Sequence, residues 1–187
     1  IYAIHSNLTV DGGSFEDSYG EDAGLLDSSY THVSLNDVTF SGNSTSGDGG
    51  AINTTGGSLS ISNSTFQNNW SDYSVGHHGG AIYSDETDVE ISGTTFIENK
   101  GHYGGAIYID NAELTISDFA FVDNEALNQP HRKEEYEVEG KGSSIYLYQS
   151  TLTASNGTFS GDSTEVQGSG SSSSYEDCTF EGEEEEE

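Results

Sequence analysis

The chain has 187 residues, with 33 Asp or Glu against 4 Lys or Arg and a net charge of −29. That balance repels phosphate backbones and anionic lipid headgroups, which excludes nucleic acid as a partner and argues against membrane insertion. Only 31% of residues are hydrophobic, too few for a compact globular core, so the chain is either disordered or built from stacked units that each bury little.

A repeat decides between these. Its 21-residue core recurs over coils 1–18, 23–43, 49–69, 79–99, 104–124, 142–162 and 163–183, followed by an acidic tail at 184–187. In chain order, the first copy carries Ile1, Leu8 and Phe15, and the second Leu26, Val33, Phe40 and Asn43. Four fuller copies then open on Gly49-Gly50-Ala51-Ile52, Gly79-Gly80-Ala81-Ile82, Gly104-Gly105-Ala106-Ile107 and Gly142-Ser143-Ser144-Ile145. Each runs through an apolar start (Leu59, Val89, Leu114, Leu152) and a Phe (Phe66, Phe96, Phe121, Phe159) to a corner residue (Asn69, Asn99, Asn124, Asp162). The last copy repeats the spacing with Val166, Ser173, Phe180 and Glu183. A fixed period of this length marks a solenoid, and a disordered chain has no reason to keep it.

Within a copy the apolar residues alternate, as in Leu59 and Ile61 or Leu114 and Ile116, which is strand periodicity. Between two short strands stands a residue that tolerates left-handed backbone: Gly12, Asp37, Asn63, Gly93, Asp118, Asn156 and Asp177. The fold class is therefore all-β, a parallel β-helix of about seven coils, which at roughly 4.8 Å per coil stands about 34 Å tall. Equivalent residues become ladders, with a Phe stack through the core and an Asn ladder at one corner. Cys178, two residues before Phe180, falls at an inward position and reads as a small buried hydrophobe.

The segments GGAI and FxxN, as in Gly79-Gly80-Ala81-Ile82 with Phe96-Ile97-Glu98-Asn99, resemble the tandem motifs of chlamydial polymorphic outer membrane proteins. That resemblance implies a right-handed parallel β-helix displayed at a cell surface as an adhesin. Strong matches cover three consecutive copies. The chain departs from the family in having no membrane barrel and in carrying sequons.

Those sequons stand at Asn7, Asn43, Asn53, Asn63, Asn69 and Asn156. Their register places Asn63 and Asn156 at the exposed bend and Asn7 and Asn53 on outward strand positions, so these four are the expected glycosylation sites. Asn43 and Asn69 occupy the corner ladder and are expected to turn inward.

Between copies lie inserts at 19–22, 44–48, 70–78, 100–103 and 125–141, all leaving the coil at one register. They hold all four basic residues, the only Trp and the only Pro. Emerging along one edge, they are expected to form a binding face with Trp70, Tyr73, His77, His78, His102, Tyr103, His131 and Arg132. His77 and His102 precede Gly-Gly by two residues in successive coils and are expected to stack as a solvated pair; with too few further ligands at that register, neither metal nor cofactor is expected.

Three classes of function compete. A polysaccharide-cleaving β-helix needs grouped acids or a base on the coil, whereas the outward positions carry Ser58, Ser60, Ser62, Thr151, Thr153 and Ser155. An ice-binding rank of Thr39, Thr65, Thr95, Thr158 and Thr179 is broken by Ser14 and Ala120. The third class is structural or adhesive. Ile1 starts in mid-coil, as in a processed product or an excerpt, and no capping helix closes either end, which leaves unpaired strands. The expected role is an extracellular, glycosylated subunit stacking head to tail with copies of itself into a surface filament. Alternatives are an adhesin domain binding host or surface glycans and proteins, and a polysaccharide-active enzyme. Tyr83, Tyr108 and Tyr146 are expected outward at one register, available for lateral contact or sugar binding.

Overall fold

The computed structural model describes residues 1–72, 77–130, 137–138, 140–161 and 165–182. Among them every regular element is a strand, and the coil-to-coil pairings are parallel. The chain is a parallel β-helix. The register runs through the apolar starts without a slip: Leu8, Val33, Leu59, Val89, Leu114, Leu152 and Ser173 are consecutive neighbours. Leu26, Ile52, Ile82, Ile107, Ile145 and Val166 form a second such column. Alternation explains the buried side, because in strands such as Asp88–Ser92 and Glu113–Ser117 the apolar residues are buried and their neighbours exposed.

The third column is aromatic. Phe15, Phe40, Phe66, Phe96, Phe121, Phe159 and Phe180 stack in succession, with ring centroids 4.7–5.6 Å apart and ring planes within 25° of parallel. Isolated aromatic rings prefer edge-to-face or offset contacts; here the strand spacing dictates the ring spacing, and the rings stack because their backbones do. Five of the seven, Phe40 to Phe159, are essentially sealed from solvent.

Polar ladders close the corners. Asn43, Asn69, Asn99 and Asn124 are 0–3% exposed. Each Oδ1 of Asn69, Asn99 and Asn124 accepts both the backbone N–H and the Nδ2–H of the Asn one coil earlier, at 2.9–3.1 Å. The second Nδ2–H reaches back to a Phe carbonyl, from Asn69 to Phe40 and from Asn99 to Phe66. Every buried polar atom of the ladder is thereby paired, and an unpaired one would cost about 1–3 kcal/mol. Asp162 and Glu183, which hold the equivalent place in the sequence repeat, lie outside the described residues.

A second polar column follows the bend the sequence marks. All seven bend residues are left-handed, from Asn63 at φ 49° to Gly12 at φ 74°. One residue later, Ser64 donates to Ser62 O and accepts from Val38 N, and Thr94 donates to Ser92 O and accepts from Ser64 N. Cys178 occupies this column, and its Sγ–H donates to Glu176 O as a hydroxyl would. It is half-buried rather than core, which corrects the expectation of burial. Inward register alone does not bury it, and Phe180, two residues on, is 51% exposed.

The rungs thus rank substitutions. Phe96→Ala is expected to cost about 3–5 kcal/mol through the cavity it leaves, Asn99→Ala about 1–3 kcal/mol through orphaned ladder partners, and outward Ser60→Ala less than about 0.5 kcal/mol. Urea unfolding of the three variants checks the order.

Candidate functional site

The inserts begin as part of the coil. Tyr19–Gly20, Ser44–Thr45, Trp70–Ser71, Lys100–Gly101 and Glu125–Ala126 pair in parallel as a separate five-stranded sheet. The insert boundaries at 19, 44, 70, 100 and 125 therefore move two residues later, a step the sequence hides because two-residue strands leave no alternation to detect. Inward positions there are small: Gly20, Thr45, Ser71, Gly101 and Ala126. They face the Gly-Gly corner, where a Cβ on Gly80 would lie 2.0 Å from the Gly105 carbonyl oxygen and 2.5 Å from Lys100 N. Outward, Tyr19, Ser44, Trp70, Lys100 and Glu125 form an edge column in which Lys100 Nζ lies 2.7 Å from Glu125 Oε2. Both side chains are about half exposed, so the pair adds little stability.

Beyond this column the inserts fold back over the coil. Tyr83, Tyr108 and Tyr146 stack along the strand face at 5.3 and 5.6 Å. Over them His78 lies 4.6 Å from Tyr108, and Tyr103 lies 4.9 Å from Tyr146. His78 and Tyr103 also stack on each other, at 5.2 Å and 2°. Tyr108 and Tyr146 are only 7% and 9% exposed, which corrects the expectation of an outward tyrosine stripe. They point away from the Phe core, yet the inserts cover them and make a second aromatic layer. Burial, and after it neighbouring carboxylates, pushes the Tyr83 and Tyr108 phenols well above their ordinary range.

Two polar contacts clasp the inserts. Asp48 Oδ1 accepts the His78 backbone N–H at 2.7 Å and lies 3.4 and 3.6 Å from the Nδ1 atoms of His78 and His77. Burial by itself would raise the Asp48 carboxyl, but the His78 and His77 contacts outweigh it and hold the pKa below its ordinary 3.8. His102 is 2% exposed and its Nδ1 lies 2.8 Å from Leu127 O, holding the start of the longest insert. Burial, opposed by the Leu127 contact and aided by nearby His78, lowers its pKa below 6.5. His77 and His102 are backbone neighbours, with His102 N donating to His77 O at 3.0 Å. Their rings diverge, one to Asp48 and the other beneath the insert, so the expected solvated His pair is not formed. Among the described residues no three His, Cys, Asp or Glu side chains converge as metal ligands.

Of the expected edge residues, His77, His78, Tyr103 and buried His102 come together, and Trp70 lies in the edge column at 42% exposure. Tyr73, His131 and Arg132 lie outside the described residues. The sequons separate by register. Asn7, Asn63 and Asn156 are exposed, the last two at φ 49° and 51°. Asn53 is half-buried, with Nδ2 donating to Asp22 O at 3.2 Å. Asn43 and Asn69 are sealed in the ladder. On another face, Ser60, Glu90, Ser92, Thr115 and Ser117 line a shallow trough of about 190 Å³ with one carboxylate, where glycoside hydrolysis needs two.

The Chlamydia polymorphic membrane protein repeat matches the chain three times, at residues 37–55, 63–85 and 93–110. Each match begins at a left-handed bend residue, Asp37, Asn63 or Gly93. The matches end at Thr55, Asp85 and Asp110, which are register neighbours. The matched unit therefore runs from the bend through the insert to the Gly-rich strand, three times over, and each match stops short of the strand that completes the turn, such as Asp88–Ser92 or Glu113–Ser117. No curated protein and no solved structure matches the chain.

The clasp carries a pH dependence of definite sign. His102 has a depressed folded pKa, so the unfolded chain binds the proton first and stability falls as pH drops below about 6.5. Asp48, also depressed, contributes stability above its unfolded value of 3.8, and that contribution is lost as pH falls through the lower folded value. Denaturant midpoints between pH 8 and 5 are expected to fall for the unaltered chain and to flatten in His102→Gln.

Proposed function

We propose that the chain is a surface-displayed β-helix of the adhesin type, which presents its insert edge to glycans or proteins on an opposing surface. The repeat it matches is that of Chlamydia polymorphic membrane proteins, which supports the location. The binding role rests on one observation: the clasped inserts and the Tyr19, Ser44, Trp70, Lys100 and Glu125 column lie along one edge. That edge offers an indole and an ammonium to a partner, while the rest of the surface is dominated by hydroxyls and carboxylates. Trp is among the side chains that concentrate binding energy, and the ammonium offers charge to an acidic partner group. Glycans on Asn7, Asn53, Asn63 and Asn156 belong to the same reading.

A second reading is end-to-end stacking into a filament, which rests on the unbroken parallel register of the coils: a second copy in that register extends every column by one more set of equivalent residues.

Adhesion of the immobilised chain to cultured cells tests the first reading. Trp70→Ala combined with Lys100→Ala is expected to reduce bound cells at least fivefold, while Ser60→Ala leaves binding unchanged; equal binding by all three removes the insert edge as the site. Sedimentation at rising concentration tests the second, where a chain that stays monomeric at the highest concentration discards the filament.

A further inference from the structure

The two sequons inside the ladder differ from the other four in their chemistry. Asn43-Ser44-Thr45 and Asn69-Trp70-Ser71 each combine a corner Asn with the inward residue of the small sheet. Both ends are buried: Asn43 and Asn69 are 0% exposed, Thr45 2% and Ser71 0%. Where that inward residue is Gly101 or Ala126, the same corner gives Asn99-Lys100-Gly101 and Asn124-Glu125-Ala126, which are not acceptors. The two sequons are thus by-products of the coil, arising wherever a ladder Asn meets a hydroxyl two residues on.

In the folded chain neither amide has a hydrogen to give. Asn69 Nδ2 donates to Phe40 O at 3.1 Å and Asn99 Oδ1 at 3.0 Å, and Asn43 Nδ2 to Phe15 O at 3.1 Å and Asn69 Oδ1 at 3.0 Å. Glycan transfer forms an Nδ2–C1 bond and breaks the C1–O bond of a lipid-linked diphospho-oligosaccharide. The lipid diphosphate leaves, and one Nδ2 proton goes with it. That proton is one the ladder uses, and the sugar would enter a sealed corner. Damage would also spread, because Asn69 Oδ1 holds both N–H groups of Asn43. Exposed Asn63, by contrast, commits Nδ2 to Asn36 Oδ1 alone.

We infer that Asn43 and Asn69 are timing sites, at which glycosylation and coil closure exclude each other. Each accepts a glycan only while its coil is open, and a chain modified there cannot complete the β-helix. The inference stands apart from whether the exposed sequons carry glycans in nature.

The full chain is expressed in a eukaryotic secretory host, and glycan occupancy is mapped by mass spectrometry in the secreted, monodisperse fraction and in the retained, aggregated one. Occupancy at Asn43 or Asn69 is expected to be at least tenfold higher in the retained fraction. Thr45→Ala with Ser71→Ala, which follows the Gly101 and Ala126 precedent, is expected to raise secreted yield severalfold while leaving yield from a bacterial cytoplasm unchanged. Equal occupancy in the two fractions, or no occupancy in either, overturns the inference. If the double variant also fails in the cytoplasm, occupancy on the unaltered chain decides alone.

Discussion

Each side chain in this molecule has its equivalents directly above and below it at the strand spacing, and that constraint selects the residues. A position can be filled by a group that packs on its own kind, by one that hydrogen-bonds to its own kind, or by one with no side chain to collide. The Phe column is the first case, the Asn corner the second and the Gly-Gly corner the third. Charge satisfies none of these indoors. It follows that a chain with 33 acids and 4 bases can fold, since nearly all of its charge goes to outward positions and inserts, where water screens it.

The same constraint explains why the frame was legible and some of its corners were not. Phe, Asn and Gly-Gly recur because few substitutes do the same job, Ser143 at the second Gly position being one, so register could be read from them directly. A further left-handed bend lies three residues before each apolar start, at His5, Tyr30, Gly56, Glu86, Asn111, Gln149 and Gly170. Sequence hides it, because only the glycines and Asn111 favour that backbone; the rest are held there by pairing on both sides at a cost of about 1–2 kcal/mol each. Thr31, Thr87 and Ser150, which follow such bends, bond back to carbonyls two residues earlier, so the strain is local and offset locally.

The insert edge was legible in place but not in depth. Register puts His77, His78, His102 and Tyr103 on one side of the solenoid, and the rings of His78, His102 and Tyr103 meet there. It could not say that an insert turns back on the coil, because variable-length segments have no period. Tyr83, Tyr108 and Tyr146 alternate with buried Ile, Leu and Ser, the pattern of residues that face water; His78 and Tyr103, from the flanking inserts, cover them. Alternation identifies which face of a strand a residue occupies and says nothing of what lies on that face. His102 shows the same limit from the other side, a polar residue in an insert that is 2% exposed because the next insert begins above it.

This arrangement divides labour between two kinds of evolutionary freedom. The coil cannot vary without misplacing a whole column, whereas an insert can lengthen at little entropic cost once its ends are fixed. Here the ends are fixed twice, by the small parallel sheet where the insert leaves and by the Gly-Gly corner where it returns. Chemistry that a stacked frame cannot hold, an exposed indole, a basic side chain or a histidine beside a carboxylate, therefore collects between those two anchors. The clasp through Asp48 and His102 then holds His78 and the start of the longest insert against the coil, so the chemistry gathered at these anchors is kept in one arrangement rather than many.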